Sequence, residues 1–201
     1  MTSGSAVPVI PYPLRTPRLL LRRFTADDLA LYHAYQRLPE TAAYLLNAPR
    51  TYTESMARIA RYVDAPFGKE GDWASFAIED AHRPGLLGEI ALKWGSGGRP
   101  ETGAEPGSGA EPGRVGEIGW TLAPAARGQG YATEAAQAVL DLAFGRLGFR
   151  RLEARLDSRN TASAAICLRL GMVPEGVLRE NAFIKGEWTS EAIFAVLRPA
   201  A

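Results

Sequence analysis

The sequence contains little of what several common kinds of functional site require. Among its 201 residues there is one cysteine, Cys167, and the two histidines, His33 and His82, are widely spaced. A single cysteine excludes an intrachain disulfide and a zinc cluster built from cysteines, and two distant histidines make a histidine metal site a poor prospect. We therefore predict that the protein works without a bound metal.

Charge and hydropathy are also without extremes. The chain has 23 basic and 22 acidic side chains, so no net positive field indicates nucleic acid and no block of like charge indicates a membrane surface. The sequence contains no run of about 18 apolar residues, which is the length that a membrane-spanning helix needs. Residues 1–6 lack the basic and apolar parts of a secretory leader. We expect a soluble cytoplasmic protein that binds neither nucleic acid nor membranes.

The periodicity of the apolar residues predicts a single α/β domain. With 46% hydrophobic residues, a chain of this length forms one sizeable core. We predict a flexible tail over residues 1–14 and a domain over residues 15–201, in the order β-α-α-β-β-β-α-β-α-β-β. That order is typical of an α/β (α+β) sandwich, in which a mixed, mostly antiparallel seven-stranded sheet is flanked by about four helices.

Residues 95–114 are rich in glycine, proline and glutamate and contain the five-residue unit Gly-Ala-Glu-Pro-Gly twice. Such a composition buries too little apolar area to offset the entropy lost on ordering. We predict a surface loop inserted between two adjacent strands, with a substrate lid as the alternative.

A glycine-rich turn is the most informative local feature. Residues 127–134 read Arg-Gly-Gln-Gly-Tyr-Ala-Thr-Glu, and they connect a strand-like run at 116–122 to a strongly helical segment. Gly128 and Gly130 allow backbone angles and close approaches that side chains prevent, and the first N–H groups of the helix point into the turn. This arrangement predicts a site for pyrophosphate, although it is neither the dinucleotide fingerprint nor a Walker loop.

The turn resembles the coenzyme A loop of the GNAT superfamily of N-acetyltransferases. The pattern of that loop, Gln/Arg-x-x-Gly-x-Gly/Ala, is filled here by Arg127, Gly130 and Ala132. From about residue 16 to residue 197, the chain also resembles the RimJ/RimL-like branch, the ribosomal-protein N-terminal acetyltransferases. The residues that carry this second resemblance are Pro124, Tyr131–Ala135, Asn160, Ser163, Leu170–Met172, Glu175, Gly176, Arg179, Gly186 and Trp188.

The resemblance implies a GNAT-like sandwich fold and an enzyme that uses acetyl-CoA as co-substrate. The acetyl group would pass directly to a primary amine, by this resemblance the α-amine at the N-terminus of a protein or peptide. Two alternatives stay open at this point: transfer to a small amine, such as an antibiotic, a polyamine or an amino acid, and a non-catalytic acyl-CoA-binding module. Relatives often dimerise through their terminal strands, so a homodimer is also open.

The resemblance further implies which residues bind the co-substrate. Backbone groups near Trp120 and Leu122 would hydrogen-bond the pantetheine arm, and Asn160 would be a further hydrogen-bond partner of that arm. Asn160 serves equally well as the cap of a helix. Arg127 opens the pyrophosphate loop, whose remaining predicted binding residues are Gly128, Gln129, Gly130, Tyr131, Ala132 and Thr133.

Two residues are predicted to act in catalysis. Ser163, one helical turn after Asn160, is our candidate for the proton donor to the departing thiolate, although it also suits the first turn of a helix. Glu117 is our candidate general base, because strand alternation puts it on one face with Gly119 and Thr121. An exposed strand carboxylate is the alternative for Glu117. Lesser candidates for the base are Glu89, Glu180 and Glu191.

Overall fold

The computed structural model describes residues 9–95 and 114–199. The loop predicted for residues 95–114 lies outside the described residues except for its two ends. Gly95 ends one strand and Arg114 begins the next. These strands are paired, with Gly95 opposite Val115, so the loop connects adjacent strands of one sheet.

An eight-stranded sheet in the order β1-β2-β3-β4-β5-β6-β8-β7 runs through the described part of the chain. Every neighbouring pair is antiparallel except β5 and β6, which are parallel. The predicted mixed, mostly antiparallel sheet is confirmed. The strands are β1 (Leu14–Arg15), β2 (Leu19–Arg22), β3 (Trp73–Asp80), β4 (Leu86–Gly95), β5 (Arg114–Leu122), β6 (Phe149–Asp157), β7 (Val173–Ile184) and β8 (Glu187–Leu197).

The described residues form one strand and one helix more than predicted. The extra strand, β1, consists of two residues that pair with Leu20 and Leu21 of β2. The extra helix, α2, is one turn that begins at a proline, and it is too short to show a helical period. The helices are α1 (Leu29–Gln36), α2 (Pro39–Ala42), α3 (Tyr52–Val63), α4 (Tyr131–Gly145) and α5 (Thr161–Arg169).

The two faces of the sheet pack into two separate hydrophobic clusters. Alternation along β3 illustrates the division: Phe76 and Ile78 belong to the larger cluster, which includes the apolar faces of α4 and α5. Ala77, between them, belongs to the smaller cluster with Tyr32 of α1 and Ile59 of α3. The sheet is therefore covered by α4 and α5 on one face and by α1 and α3 on the other.

The described end of the predicted N-terminal tail packs against the sheet. Ile10 is only 8% exposed and belongs to the larger cluster. The ring of Tyr12 lies 5.2 Å from that of Phe76, and burial raises the pKa of Tyr12 to about 12. Apolar side chains at 10 and 12 therefore anchor this part of the segment.

Gly116 in β5 stands where the chain has no room for a side chain. A Cβ atom there would lie 2.6 Å from Leu152 Cδ2 and 2.9 Å from the Lys93 carbonyl oxygen. The backbone oxygen is held in the β4–β5 ladder and cannot move aside. Overpacking of this kind typically costs about 1–3 kcal/mol, so we expect Gly116→Ala to lower the free energy of unfolding by that amount in urea denaturation.

The same strand supplies the matched control. A Cβ atom at Gly119 meets nothing within 4 Å, so Gly119→Ala should leave the urea midpoint nearly unchanged. Equal midpoints for the two variants would contradict the close packing at Gly116.

Candidate active site

The parallel strands β5 and β6 separate halfway along their length. They pair from Arg114 opposite Phe149 to Glu117 opposite Glu153, and no pairing between them follows in the described ladder. Strand β6 continues antiparallel to β8, while β5 continues beside β4 alone. The edge of β5 from Ile118 to Leu122 therefore faces a gap inside the sheet, where a strand would normally be.

Backbone alternation determines which groups point into this gap. The Ala123 N–H donates to the Leu87 carbonyl oxygen at 2.9 Å, so odd-numbered residues of β5 bond towards β4. The N–H and C=O groups of Trp120 and Leu122 then point away from β4. In agreement, the Leu122 carbonyl accepts from Arg127 Nε at 3.3 Å on that side. Trp120 and Leu122 thus offer a strand edge that can bond an extended ligand arm.

The gap opens into a cleft of about 270 Å³. Strands β4, β5 and β6 form its floor, α5 lies at one end, and the segment after α2 together with α3 closes the side. The cleft brings together predicted site residues from distant parts of the sequence with groups that were not predicted. Its polar lining includes Gln36, Arg50, Arg58, Tyr62, Glu89, Arg155, Asn160 and Ser163.

Asn160 and Ser163 lie together at the start of α5. The Asn160 Oδ1 atom accepts from the Ser163 N–H at 3.0 Å, so Asn160 is the cap of the helix, as the alternative interpretation held. This bond leaves the Asn160 amide N–H₂ group and the Ser163 hydroxyl without a hydrogen bond to the described residues. Both groups line the cleft and are free to bond a ligand there.

The glycine-rich turn has the geometry of an anion-binding loop. Gly128 and Gly130 have φ values of +75° and +82°, and Gly130 is the N-cap of the 15-residue helix α4. The N–H groups of residues 128–133 donate no hydrogen bond to an acceptor in the described part of the chain. The positive end of the helix dipole and several free amides therefore converge on one point. The Gln129 side chain supports the turn, because its Nε2 atom donates to the Ala125 carbonyl oxygen at 2.8 Å. Direct contacts of Gln129, Tyr131, Ala132 and Thr133 with the co-substrate stay predictions.

An ionic brace at Arg18 holds the turn, and sequence reasoning did not find it. Arg18 Nε bonds Glu134 Oε2 at 2.6 Å, and its Nη1 donates to the Gln129 carbonyl oxygen at 3.0 Å. Its guanidinium also lies 4.8 Å from the centre of the Tyr131 ring. Burial opposes ionisation of Glu134, but hydrogen bonds from Thr16 and Arg18 outweigh it and lower the pKa of Glu134.

Arg127 points away from the free amides of the turn. Its guanidinium bonds the Leu122 carbonyl oxygen, and it also donates to Thr41 Oγ1 at 3.3 Å. The side chain thus joins the end of β5 to α2. A direct contact between Arg127 and the co-substrate stays a prediction.

Glu89 is the carboxylate that lines the cleft, and it was only a lesser candidate for the base. It is 9% exposed, accepts from Gln36 Nε2 at 2.8 Å and from the Tyr62 hydroxyl at 2.6 Å. Burial raises the pKa of Glu89, and the hydrogen bond from Tyr62, the positive charges of Arg58 and Arg50 and the hydrogen bond from Gln36 offset only part of that effect. A carboxyl group with a raised pKa in a cleft is a candidate for proton transfer.

Glu117 lies on the same face of the sheet, but it lines a neighbouring cavity of about 200 Å³ between β6 and the β7–β8 hairpin. Its carboxylate is 3.6 Å from Lys93 Nζ. The assignment of Glu117 as general base stays a prediction, and Glu89 now competes with it. Pairing places Glu89 opposite Thr121 and Glu117 opposite Lys93, so the two carboxylates are four residues apart along β5.

Other groups add no chemistry to the site. Cys167 is buried in the larger cluster, and burial raises the pKa of its thiol to about 11. Within residues 9–95 and 114–199, no three His, Cys, Asp or Glu side chains are grouped to hold a metal ion. Over the same ranges, no helix has the length and apolar character needed to cross a membrane.

Comparison with known proteins is consistent with this geometry. A family model described as "Acetyltransferase (GNAT) domain" matches residues 18–173. The chain is 28% identical over 185 residues to the uncharacterized N-acetyltransferase p20 of Bacillus licheniformis, covering 92% of this chain and 96% of that protein. It is 38% identical over 82 residues to the probable N-acetyltransferase YjcK of Bacillus subtilis, a match that spans only 45% of YjcK and 41% of this chain.

Solved structures share the fold over nearly the whole chain. An acetyltransferase of the GNAT family from Bacillus anthracis superposes with a TM-score of 0.74 at 24% identity, covering 92% of this chain and 98% of that one. A spermidine N-acetyltransferase from Vibrio cholerae, solved with CoA and spermine, gives a TM-score of 0.69 at 21% identity, covering 91% and 97%. With a family match over most of the chain and the splayed strand pair beside an anion-binding loop, the protein belongs to the GNAT family of N-acetyltransferases.

Proposed function

We propose that the protein transfers the acetyl group of acetyl-CoA to the α-amine of a protein or peptide N-terminus. The observation that carries the donor half is the unpaired edge of β5 at Trp120 and Leu122, which continues into the free amides of residues 128–133. Acetyl-CoA, the co-substrate of the family, supplies the activated acyl carbon as a thioester. Its pantetheine amides match a strand edge, and its pyrophosphate matches the N-terminus of α4.

The acceptor half consists of Glu89 and the groups around it. Glu89 removes the proton from the incoming ammonium group, and the uncharged amine attacks the acyl carbon as the carbon–sulfur bond breaks. Ser163, directly or through water, donates a proton to the thiolate that leaves. The second proton of the attacking nitrogen is released as the amide forms and passes through water to Ser163, which restores its hydroxyl, and the proton on Glu89 returns to solvent. A backbone N–H of the free β5 edge stabilises the negative charge that develops on the acyl oxygen. No covalent bond to the enzyme forms, which suits a cleft whose nearest thiol, Cys167, is buried elsewhere.

Fold likeness alone does not choose the acceptor. A structure described as a putative ribosomal-protein-serine acetyltransferase from Vibrio cholerae gives a TM-score of 0.67, close to the 0.69 of the spermidine enzyme. Support for an α-amine comes from the amine itself. An α-amine with a pKa of about 7.7–8.0 is roughly 10–15% uncharged at pH 7, whereas a lysine at about 10.4 is roughly 0.04% uncharged. The residues that line the cleft include one buried carboxylate and no histidine, and this set suits the α-amine, which is easier to deprotonate than lysine.

The donor half is tested at Gly130. A valine there is strained by the φ of +82°, and its Cβ would lie 3.3 Å from Arg18 Nη2, so the free amides should lose their alignment. We expect Gly130→Val to weaken acetyl-CoA binding about 10-fold or more in titration calorimetry. Gly145→Val, at the open C-terminal end of the same helix, is the control and should bind as the wild type does. Equal affinity of both variants would remove the turn from the donor site.

The base is tested by comparing Glu89→Gln with Glu117→Gln. The reactive form of Glu89 is the carboxylate, so activity should rise with pH through its raised pKa. Glu89→Gln should remove this acidic limb and lower kcat by about 10²–10⁴-fold. Glu117→Gln should keep the limb, and the reverse result would assign the role to Glu117. Measurement of kcat against pH for the three proteins decides between them.

Stability separates a lost base from a damaged fold. The pKa of Glu89 is higher in the folded protein than in the unfolded chain. Ionised Glu89 therefore lowers the free energy of unfolding at pH values above its folded pKa. It has no such effect at pH values below the pKa that Glu89 has in the unfolded chain. Glu89→Gln should therefore unfold no more easily than the wild type at neutral pH. A large drop in its urea midpoint would indicate a structural role instead.

The acceptor class is tested by competition between two peptides of one sequence. One peptide has a free N-terminus and blocked lysines, and the other has the reverse. We expect acetylation of the α-amine to be faster by about two to three orders of magnitude at pH 7, following its larger uncharged fraction. Preference for the lysine amine would contradict the proposal. If the protein consumes no thioester with any amine tested, the result would favour an acyl-CoA-binding module.

A further inference from the structure

Two arginines in the cleft, Arg50 and Arg58, have no carboxylate partner in the described part of the chain. Most of the other arginines near the cleft and the neighbouring cavity are paired. Arg155 bonds Glu153 at 2.8 Å and Glu191 at 3.0 Å, and Arg159 bonds both oxygens of Asp157. Arg50 and Arg58 therefore line the cleft with no carboxylate in direct contact, although both charges act on Glu89 from a distance.

Both guanidinium groups are held in place by neutral partners. The Arg50 backbone N–H donates to the Gln36 carbonyl oxygen at 3.0 Å and fixes the main chain there, and the guanidinium Nη2 donates to Asn47 Oδ1 at 2.9 Å. Arg58 Nε donates to the Tyr62 hydroxyl at 2.9 Å, and its guanidinium lies 4.8 Å from the centre of that ring. Holding an arginine in this way lowers the entropy lost when it binds a ligand.

Arg50 also carries an unsatisfied donor. Its Nε atom is buried and has no hydrogen-bond partner among residues 9–95 and 114–199. A buried N–H without an acceptor costs free energy, and the cost is larger for a charged group. Native structures tolerate such a group mainly where an acceptor arrives with a ligand or with water.

The charges that line the cleft do not cancel. The charged side chains there are Arg50, Arg58, Arg155 and Glu89, and Arg155 is already paired with its own carboxylates. Glu89 is bonded to Gln36 and Tyr62 and forms an ion pair with neither free arginine. A polyamine, which carries several positive charges, is disfavoured in this environment. A carboxylate suits it, because guanidinium groups bind carboxylates through two parallel hydrogen bonds.

We infer that the acceptor carries a carboxylate close to its reactive amine, and that Arg50 and Arg58 bind this carboxylate. This inference rests on the proposed function, since it names the acceptor of the same cleft. The carboxylate has two possible sources: the acidic side chain of a peptide's first residue, or the α-carboxylate of a free amino acid. The chemistry recognised by the two arginines is the same in both cases.

The first experiment compares acceptors that differ only in charge. For the peptide source, the pair is Asp-Ala-Ala and Asn-Ala-Ala, each with an amidated C-terminus. For the free amino acid, the pair is alanine and alaninamide. We expect kcat/KM to favour the carboxylate member of one pair by about 10- to 100-fold, the range of a charge-assisted hydrogen bond, and spermidine to be the poorest acceptor. A ratio near one in both pairs, or preference for spermidine, would overturn the inference.

The second experiment assigns the preference to the two arginines. Arg50→Gln and Arg58→Gln should each reduce the carboxylate preference about 10-fold or more, and comparison of ratios cancels the different pKa values of the amines. Arg61→Gln is the matched control, because Arg61 is on the same helix as Arg58 but is exposed and does not line the cleft. A preference that survives both cleft variants, or falls equally in the control, would refute the assignment.

A binding measurement keeps this inference separate from the proposed function. Titration calorimetry of each acceptor pair, with CoA present and no turnover possible, reports carboxylate selectivity directly. Selective binding that depends on Arg50, combined with no acetylation of any amine, would refute the proposed transfer and support the carboxylate site. Acetylation without selective binding would support the proposed transfer and refute the carboxylate site.

Discussion

The separation of β5 from β6 after Glu117 is the constraint on which the rest of the structure depends. A sheet interior normally satisfies every backbone N–H and C=O group, and an open edge there costs free energy unless water or a ligand satisfies it. Here the open edge lies between strands that are paired at one end, and α4 begins just beyond it. The edge and the start of α5 consequently line one cleft, and the turn follows just beyond the end of that edge.

Most of the fold was predictable because it depends on local periodicity. The alternation in β6, the turn at Gly128 and Gly130 and the cap at Asn160 all leave a signal within a few residues. The two short elements, β1 and α2, leave none, because two to four residues show no period. Ile10 was assigned to a tail for a different reason, because its burial results from contacts with a sheet that distant segments contribute.

The site was predictable where a motif encodes it and not where the fold assembles it. The turn at residues 127–133 is contiguous in sequence and was recognised. Glu89, Arg50 and Arg58 come from three separate segments, and their importance arises only from burial and from the lack of charge partners. Arg18 was missed because its partner, Glu134, is 116 residues away. An arginine just before a strand gives by itself no sign of such a contact.

The two separate hydrophobic clusters support different sides of the site. The donor side rests on the larger cluster under α4 and α5, and the part of the acceptor wall that α1 and α3 form rests on the smaller cluster. Substitutions that are far apart and share no contacts have nearly additive effects on stability. The acceptor wall can therefore be rebuilt residue by residue, in evolution or in the laboratory, while the half that holds the acyl donor is left intact.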